Sequence, residues 1–142
     1  ENMTASEVVT MLNKISGFLG LSGGLSNDWR DINNAAKAGD ERGQRTAEVW
    51  SYRIRKYIGA YAAAMNGLDV VVFTAGIGEN SADARKYVMT DCDWRGSKLD
   101  DARNYANETV ISTDDSKVKV LVVPTNEELA IARDTLEIVS AL

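Results

Sequence analysis

A chain of 142 residues, 44% hydrophobic and 26% charged, is long enough for one domain with its own apolar core. The composition excludes a collagen, a disulfide scaffold and a disordered tail. Sixteen Lys and Arg against 21 Asp and Glu give a net charge of −5, without the basic face that nucleic-acid binders carry.

Cys92 is the only cysteine and there is no histidine. An internal disulfide, a Ser-His-Asp triad, a Cys-His pair and a His-ligated zinc are therefore excluded within this chain. A reducing, cytoplasmic setting suits such cysteine usage. No stretch reaches the roughly 18 apolar residues of a membrane span. Glu1-Asn2-Met3-Thr4 has neither the basic nor the apolar region of a signal peptide. Because the first residue is not Met, a piece of something longer is expected.

Thr4-Ala5-Ser6-Glu7 is a capping-box pattern. Val8, Leu12, Ile15 and Leu19 follow at helical spacing, so a first helix is predicted from about Ala5 to Phe18, ending at the Gly20–Gly24 turn. Ser26 or Asn27 can cap a short second helix through Trp29-Arg30-Asp31-Ile32. A long helix then runs from Asp40, with Ala47, Trp50, Ile54, Tyr57, Ile58, Tyr61 and Met65 on one face and Arg53 and Lys56 off it. Asn66-Gly67 is its left-handed stop.

At Leu68 the period changes. Val70-Val71-Val72-Phe73 is a continuous run suited to a strand covered on both faces in a parallel sheet. The Thr74–Asn80 loop breaks it, and a helix restarts at Ser81 with Val88 and Met89 inward. A charged helical stretch is predicted from Ser97 to Glu108, then a short edge strand at Val110-Ile111-Ser112 and a turn at Asp114–Lys117. Val118, Val120 and Val122 alternate in a second strand, ended by Pro124, and a last helix carries Leu129, Ala132, Leu136 and Val139. Two strands, each followed by a loop and a helix, amount to α/β layering around a small sheet.

Three segments carry candidate chemistry. Gly76-Ile77-Gly78-Glu79-Asn80 sits where open α/β sheets bind ligands, at the carboxyl end of a strand. Its glycines permit close backbone approach and the following helix start favours an anion; the same pattern also serves as a plain connecting turn. Pro124-Thr125-Asn126-Glu127-Glu128 occupies the equivalent place after the second strand. Its carboxylates serve either the helix dipole or a magnesium ion. In Asp28-Trp29-Arg30, Trp29 either covers a base or lies in the core, and Arg30 either grips phosphate or pairs with Asp28 or Asp31. Cys92 lies between Asp91 and Asp93, which disfavours a thiolate. Trp50 and the tyrosines at 52, 57 and 61 are expected to serve helix packing.

Taken together, Tyr52–Tyr61 running into Asp69–Asn80, Gly20–Gly23 through Asn27–Ile32, and Val122–Thr135 resemble the acetate kinase family over nearly the whole chain. The resemblance is to the family's C-terminal portion, about its last third. It implies a helix-rich α/β fold with a small sheet, of the actin/hexokinase-like (ribonuclease H-like) type, in which residues 1–142 form a single nucleotide-binding segment. It also implies reversible transfer of the ATP γ-phosphoryl group to acetate with Mg²⁺, giving acetyl phosphate and ADP.

Carried over by motif, Asp28, Trp29, Arg30, Gly76, Ile77, Gly78, Glu79 and Asn80 would bind nucleotide, and Glu127 would be the metal-associated carboxylate. Partners implied are ATP or ADP, acetate, an upstream domain of the same enzyme and a second copy in a homodimer, with neither nucleic acid nor membrane. The family often has glycine where Ala75 stands; alanine is small enough to keep the loop. The family's phosphate-binding Asn and Lys, its catalytic Asp, its arginines for acetate and the transition state, and its histidines lie upstream of the matched segment. The segment alone is therefore expected to be inactive. The rival expectation is an assembly or dimerisation module with a degenerate nucleotide cleft.

Overall fold

The structure is a computed structural model that describes residues 2–93 and 96–141. Helix α1 (Ala5–Thr10) starts at Thr4, whose hydroxyl accepts from the Glu7 N–H while the Glu7 carboxylate accepts from the Thr4 N–H, as the capping-box pattern predicts. The first helix does not run unbroken to Phe18. A π-helical turn spans Met11–Ile15 and α2 (Gly17–Leu21) restarts after Ser16, which is in extended conformation.

Helix α3 (Trp29–Lys37) is capped by Asp28, whose side chain accepts from the Arg30 N–H, in place of the expected Ser26 or Asn27. Helix α4 (Glu41–Ala64) is capped by Asp40, and Asn66 takes the left-handed stop at φ 58°. The two helices touch at Gly43, where a Cβ would lie 2.6 Å from the Ala36 N and 2.9 Å from the Ile32 carbonyl oxygen. Only glycine permits that approach.

Strands β1 (Val70–Phe73) and β2 (Lys119–Val122) pair in parallel, Val71 opposite Val120 and Phe73 opposite Val122. The predicted Val110–Ser112 edge appears as isolated antiparallel bridges to Leu99 and Leu121. The β1 run is not covered on both faces: Val71 and Phe73 pack on the Met89, Cys92, Ile111, Val120 and Val122 cluster, while Val70 and Val72 are exposed. The Thr74–Asn80 segment is not an open loop but a short helix, α5 (Ala75–Asn80), followed after Ser81 by α6 (Ala82–Met89). Of the predicted Ser97–Glu108 helix only α7 (Asp101–Tyr105) forms, because Ser97 and Leu99 bridge to neighbouring chain instead. Helix α8 (Glu127–Ser140) is capped by Asn126.

A second core holds the cleft side together. Trp29, Ile32, Ala47 and Ala84 are buried there, with Phe18, Trp50, Ile77 and Tyr87 packed around them. The Trp29 and Trp50 rings lie 4.6 Å apart and Tyr87 meets Trp29 edge-on. Trp50 thus does the predicted packing, but Tyr52, Tyr57 and Tyr61 are exposed. The α4 stripe is best covered in its first half, by α3 and α6; further along Ile54 and Ile58 are half-buried while Tyr57, Tyr61 and Met65 are exposed.

Candidate functional site

The parallel pairing of β1 and β2 brings the two candidate turns to one edge, since both strands end in the same direction. The Glu79 side chain ties them. Its Oε1 accepts from the Ala75 N–H at 2.7 Å, the Thr125 N–H at 2.8 Å and the Thr125 hydroxyl at 2.9 Å. These bonds, with those from Thr125 the largest influence, hold the carboxyl below its usual pKa. Glu79 therefore fixes the spacing of the turns.

Gly78 packs beneath this tie. A Cβ on it would lie 3.2 Å from the Phe73 carbonyl carbon. Above Gly76 the space is open. Ala75 carries a left-handed φ of 58°, the conformation for which glycine at that position is the natural residue. The Asn80 Nδ2 donates to the Gly76 carbonyl at 2.9 Å, closing the turn from the side.

Underneath lies Arg85, 1% exposed. Its Nη1 donates to the Gly78 and Glu79 carbonyls at 2.8 and 3.0 Å, and its Nε and Nη2 donate to Asn104 at 2.7 and 2.8 Å. Burial pulls its pKa down. The guanidinium is held by carbonyl dipoles at the end of α5, where a cation is favoured. Sequence inspection passed over Arg85 because nothing in a lone arginine after a glycine turn shows that it points inward.

A cleft of about 970 Å³ opens between α3 and the α5–α6 turn, and Asp28, Trp29, Arg30, Gly76, Ile77 and Asn80 are in its wall. Trp29 enters the wall from the core side: it is 4% exposed and its Nε1 donates to the Ser81 hydroxyl at 2.8 Å. It shapes the cleft floor instead of offering a free ring face. Arg30 pairs with Asp28 at 2.6 Å on the solvent side, and that hydrogen-bonded pair holds the Asp28 carboxyl down to about 2. Asn33, Asn34 and Lys37 line the cleft further along α3, with Asp83 and Tyr105 opposite. The steps of three, four and seven from Arg30 were the available signal for these residues.

Glu127 does not line the cleft. It is the first residue of α8 and exposed, and its link to the cleft runs through Thr125 and Glu79. No group of three or more potential metal ligands converges among the described residues. A single carboxylate fits a Mg²⁺ ion that takes its other oxygens from water and phosphate; it does not fit a protein-caged metal.

The sequence matches the model of the Acetokinase family over residues 1–133. The chain belongs to the acetokinase family. It is 53% identical to an acetate kinase of Methanosarcina thermophila over 141 residues, 98% of this chain and 34% of that protein. The fold matches a crystal structure of Porphyromonas gingivalis acetate kinase with a TM-score of 0.87 at 46% identity, covering 96% of this chain and 35% of the other. It also matches a propionate kinase from Francisella tularensis with a TM-score of 0.84 at 38% identity, covering 92% and 33%. The family's actin/hexokinase-like, helix-rich fold with a small sheet is thus this chain's fold. The chain spans about a third of the length of these relatives. Among the described residues no helix is long and apolar enough to cross a membrane.

Proposed function

We propose that this chain is the nucleotide-binding segment of an acetate kinase, whose complete protein moves the γ-phosphoryl group of ATP reversibly to acetate. The observation that carries this reading is the joining of the two strand-end turns through Glu79, beside one open cleft.

The nucleotide then lies along α3. Its phosphates sit toward the ends of β1 and β2, near Asp28, Arg30 and the open face of Gly76. Ile77 and Gly76 lie against the nucleoside, Asn80 and Gly78 hold the turn, and Glu79 sets its distance from the second turn. Trp29 acts as the floor. Glu127 would hold Mg²⁺ through an oxygen or a water, and the ion would supply neutralisation of phosphate charge. The chain's own contribution is positioning, which is most of what phosphoryl transfer asks of a protein.

The isolated 142-residue chain is expected to make no acetyl phosphate, because the family's catalytic residues lie upstream of the matched segment. Propionate is an alternative acceptor within the family. The complete protein would be a cytoplasmic homodimer contacting ATP, acetate and its own upstream domain.

A specific observation favours a second role beside the first. Tyr57 and Tyr61 on α4, and Leu136 and Ile138 on α8, leave large apolar side chains exposed, the signature of an interaction surface. A stand-alone assembly module would show this too. Titration with Mg·ATP separates the readings. Binding to the complete protein that is lost in Gly78→Val, where the Cβ meets the Phe73 backbone, and weakened in Arg30→Ala supports the nucleotide site. No binding by the parent, together with a tight dimer, supports the module.

A further inference from the structure

The cleft has two ends of different chemistry. At one end are the β1 and β2 turns and the start of α3, where the helix dipole favours phosphate. The other end is closed by a polar cluster centred on Asp83. Its Oδ2 accepts from the Asn33 Nδ2 at 2.9 Å and the Lys37 ammonium at 2.5 Å, and its Oδ1 accepts from the Tyr105 hydroxyl at 2.9 Å. A carboxylate offers about four acceptor positions, so one remains. Asn33 is 9% exposed, lines the same cleft, and its Oδ1 has no partner among the described residues.

The spacing suits a nucleoside. Arg30 and Lys37 lie seven residues apart on one face of α3, about 10 Å at the helical rise. A nucleotide with its phosphates at the Arg30 end therefore reaches the Asp83 end with its base. Burial opposes the charge on Asp83, but the hydrogen bonds from Lys37, Asn33 and Tyr105 outweigh it and hold the carboxyl below its usual pKa. The group is an acceptor at neutral pH.

We propose that Asp83, oriented by Asn33 and Tyr105, reads the base edge by accepting a hydrogen bond from the exocyclic amine of adenine, making it a specificity-determining residue. The proposal rests on the nucleotide reading of the cleft. A site built to accept an N–H discriminates against a ligand that lacks it, because its buried acceptor is then left without a partner.

The test uses the complete protein and two nucleotides, ATP and purine riboside triphosphate, which differ only in the 6-amino group. Dissociation constants and KM values with Mg²⁺ are measured for both. The parent is expected to prefer ATP by about tenfold, the worth of one hydrogen bond to a charged acceptor. Asp83→Ala is expected to bring that ratio to within about twofold, with the loss falling on the affinity for ATP and not on that for the purine riboside triphosphate. Lys37→Met removes only an exposed ammonium and frees an acceptor position, so its ratio should equal or exceed the parent's. Equal affinity of the parent for the two nucleotides overturns the proposal without any variant. So does an unchanged ratio in Asp83→Ala, an equal loss for both nucleotides, or a ratio that collapses in Lys37→Met. Gly78→Val separates the two levels: if it still binds both nucleotides, the nucleotide reading fails. If it binds neither while the Asp83→Ala ratio is intact, only the base-edge assignment fails.

Discussion

Trp29 and Leu136 both lie on helices with an apolar stripe, yet Trp29 is 4% exposed and Leu136 is 67% exposed. The contrast extends to their regions. Around Trp29, four helices and the α5–α6 turn close over one aromatic cluster, and the Phe18, Trp29 and Ile77 side of the cleft rests on it. Around Leu136, α8 has no buried residue, and the stripe of α1 and the π-helical turn is likewise uncovered at Leu12 and Ile15. Amphipathic periodicity reports that a face seeks burial. It does not report whether the covering surface belongs to the same segment of chain.

The largest effect that would break this comparison is expected at Trp29. Trp29→Ala should destabilise the chain by about 3–5 kcal/mol through the cavity it leaves, read as a denaturant midpoint, whereas a loss below about 1 kcal/mol would show that the cleft floor is not the core. Next comes Arg85→Met. It leaves the Gly78, Glu79 and Asn104 carbonyls and the Asn104 side chain without their buried donor, at about 3 kcal/mol, with faster amide exchange expected in 75–80 than in the sheet.

Ala75→Gly should stabilise by about 1 kcal/mol, since the left-handed φ then carries no Cβ strain. Thermal melting checks the sign. Glu79→Gln should be close to neutral, because the bonds from Ala75 and Thr125 converge on Oε1, which glutamine keeps; a large loss would mean that the charge itself is used. Leu136→Ser should change the stability of this chain by less than about 0.5 kcal/mol. A larger loss would place a covering surface over α8.

The pH dependence sharpens the same contrast at the cleft mouth. The Asp28 carboxyl is lowered to about 2 by its hydrogen-bonded pairing with Arg30. Its contribution is present above the ordinary carboxylate value near 3.8 and is lost as pH falls toward 2. Carboxyl titration by NMR should find Asp28 ionised at pH 3, and in Arg30→Ala the midpoint should rise without regaining the ordinary value, because the residue 30 N–H still donates to the Asp28 carboxylate.

The local frame of the candidate site was legible because glycine and capping chemistry are local. Gly76-Ile77-Gly78 after a β-branched run, Asp40 before a long helix and Asn66-Gly67 after it need only the neighbouring residues to explain them. The role of Glu79 was not legible, since its partner Thr125 is 46 residues away. Nor was the α5 helix, where a side chain reaching back to the Ala75 N–H replaces the expected loop.

The two strands and their parallel pairing, the capping box at Thr4, the left-handed stop at Asn66 and family membership follow from the sequence by itself, because they depend on period, backbone preference and motifs a few residues long. Which stripe is buried, which residue faces the cleft and which carboxylate ties two turns were settled only when the chain packed. Those properties belong to pairs of residues distant in sequence, and a pair has no address until both elements are placed.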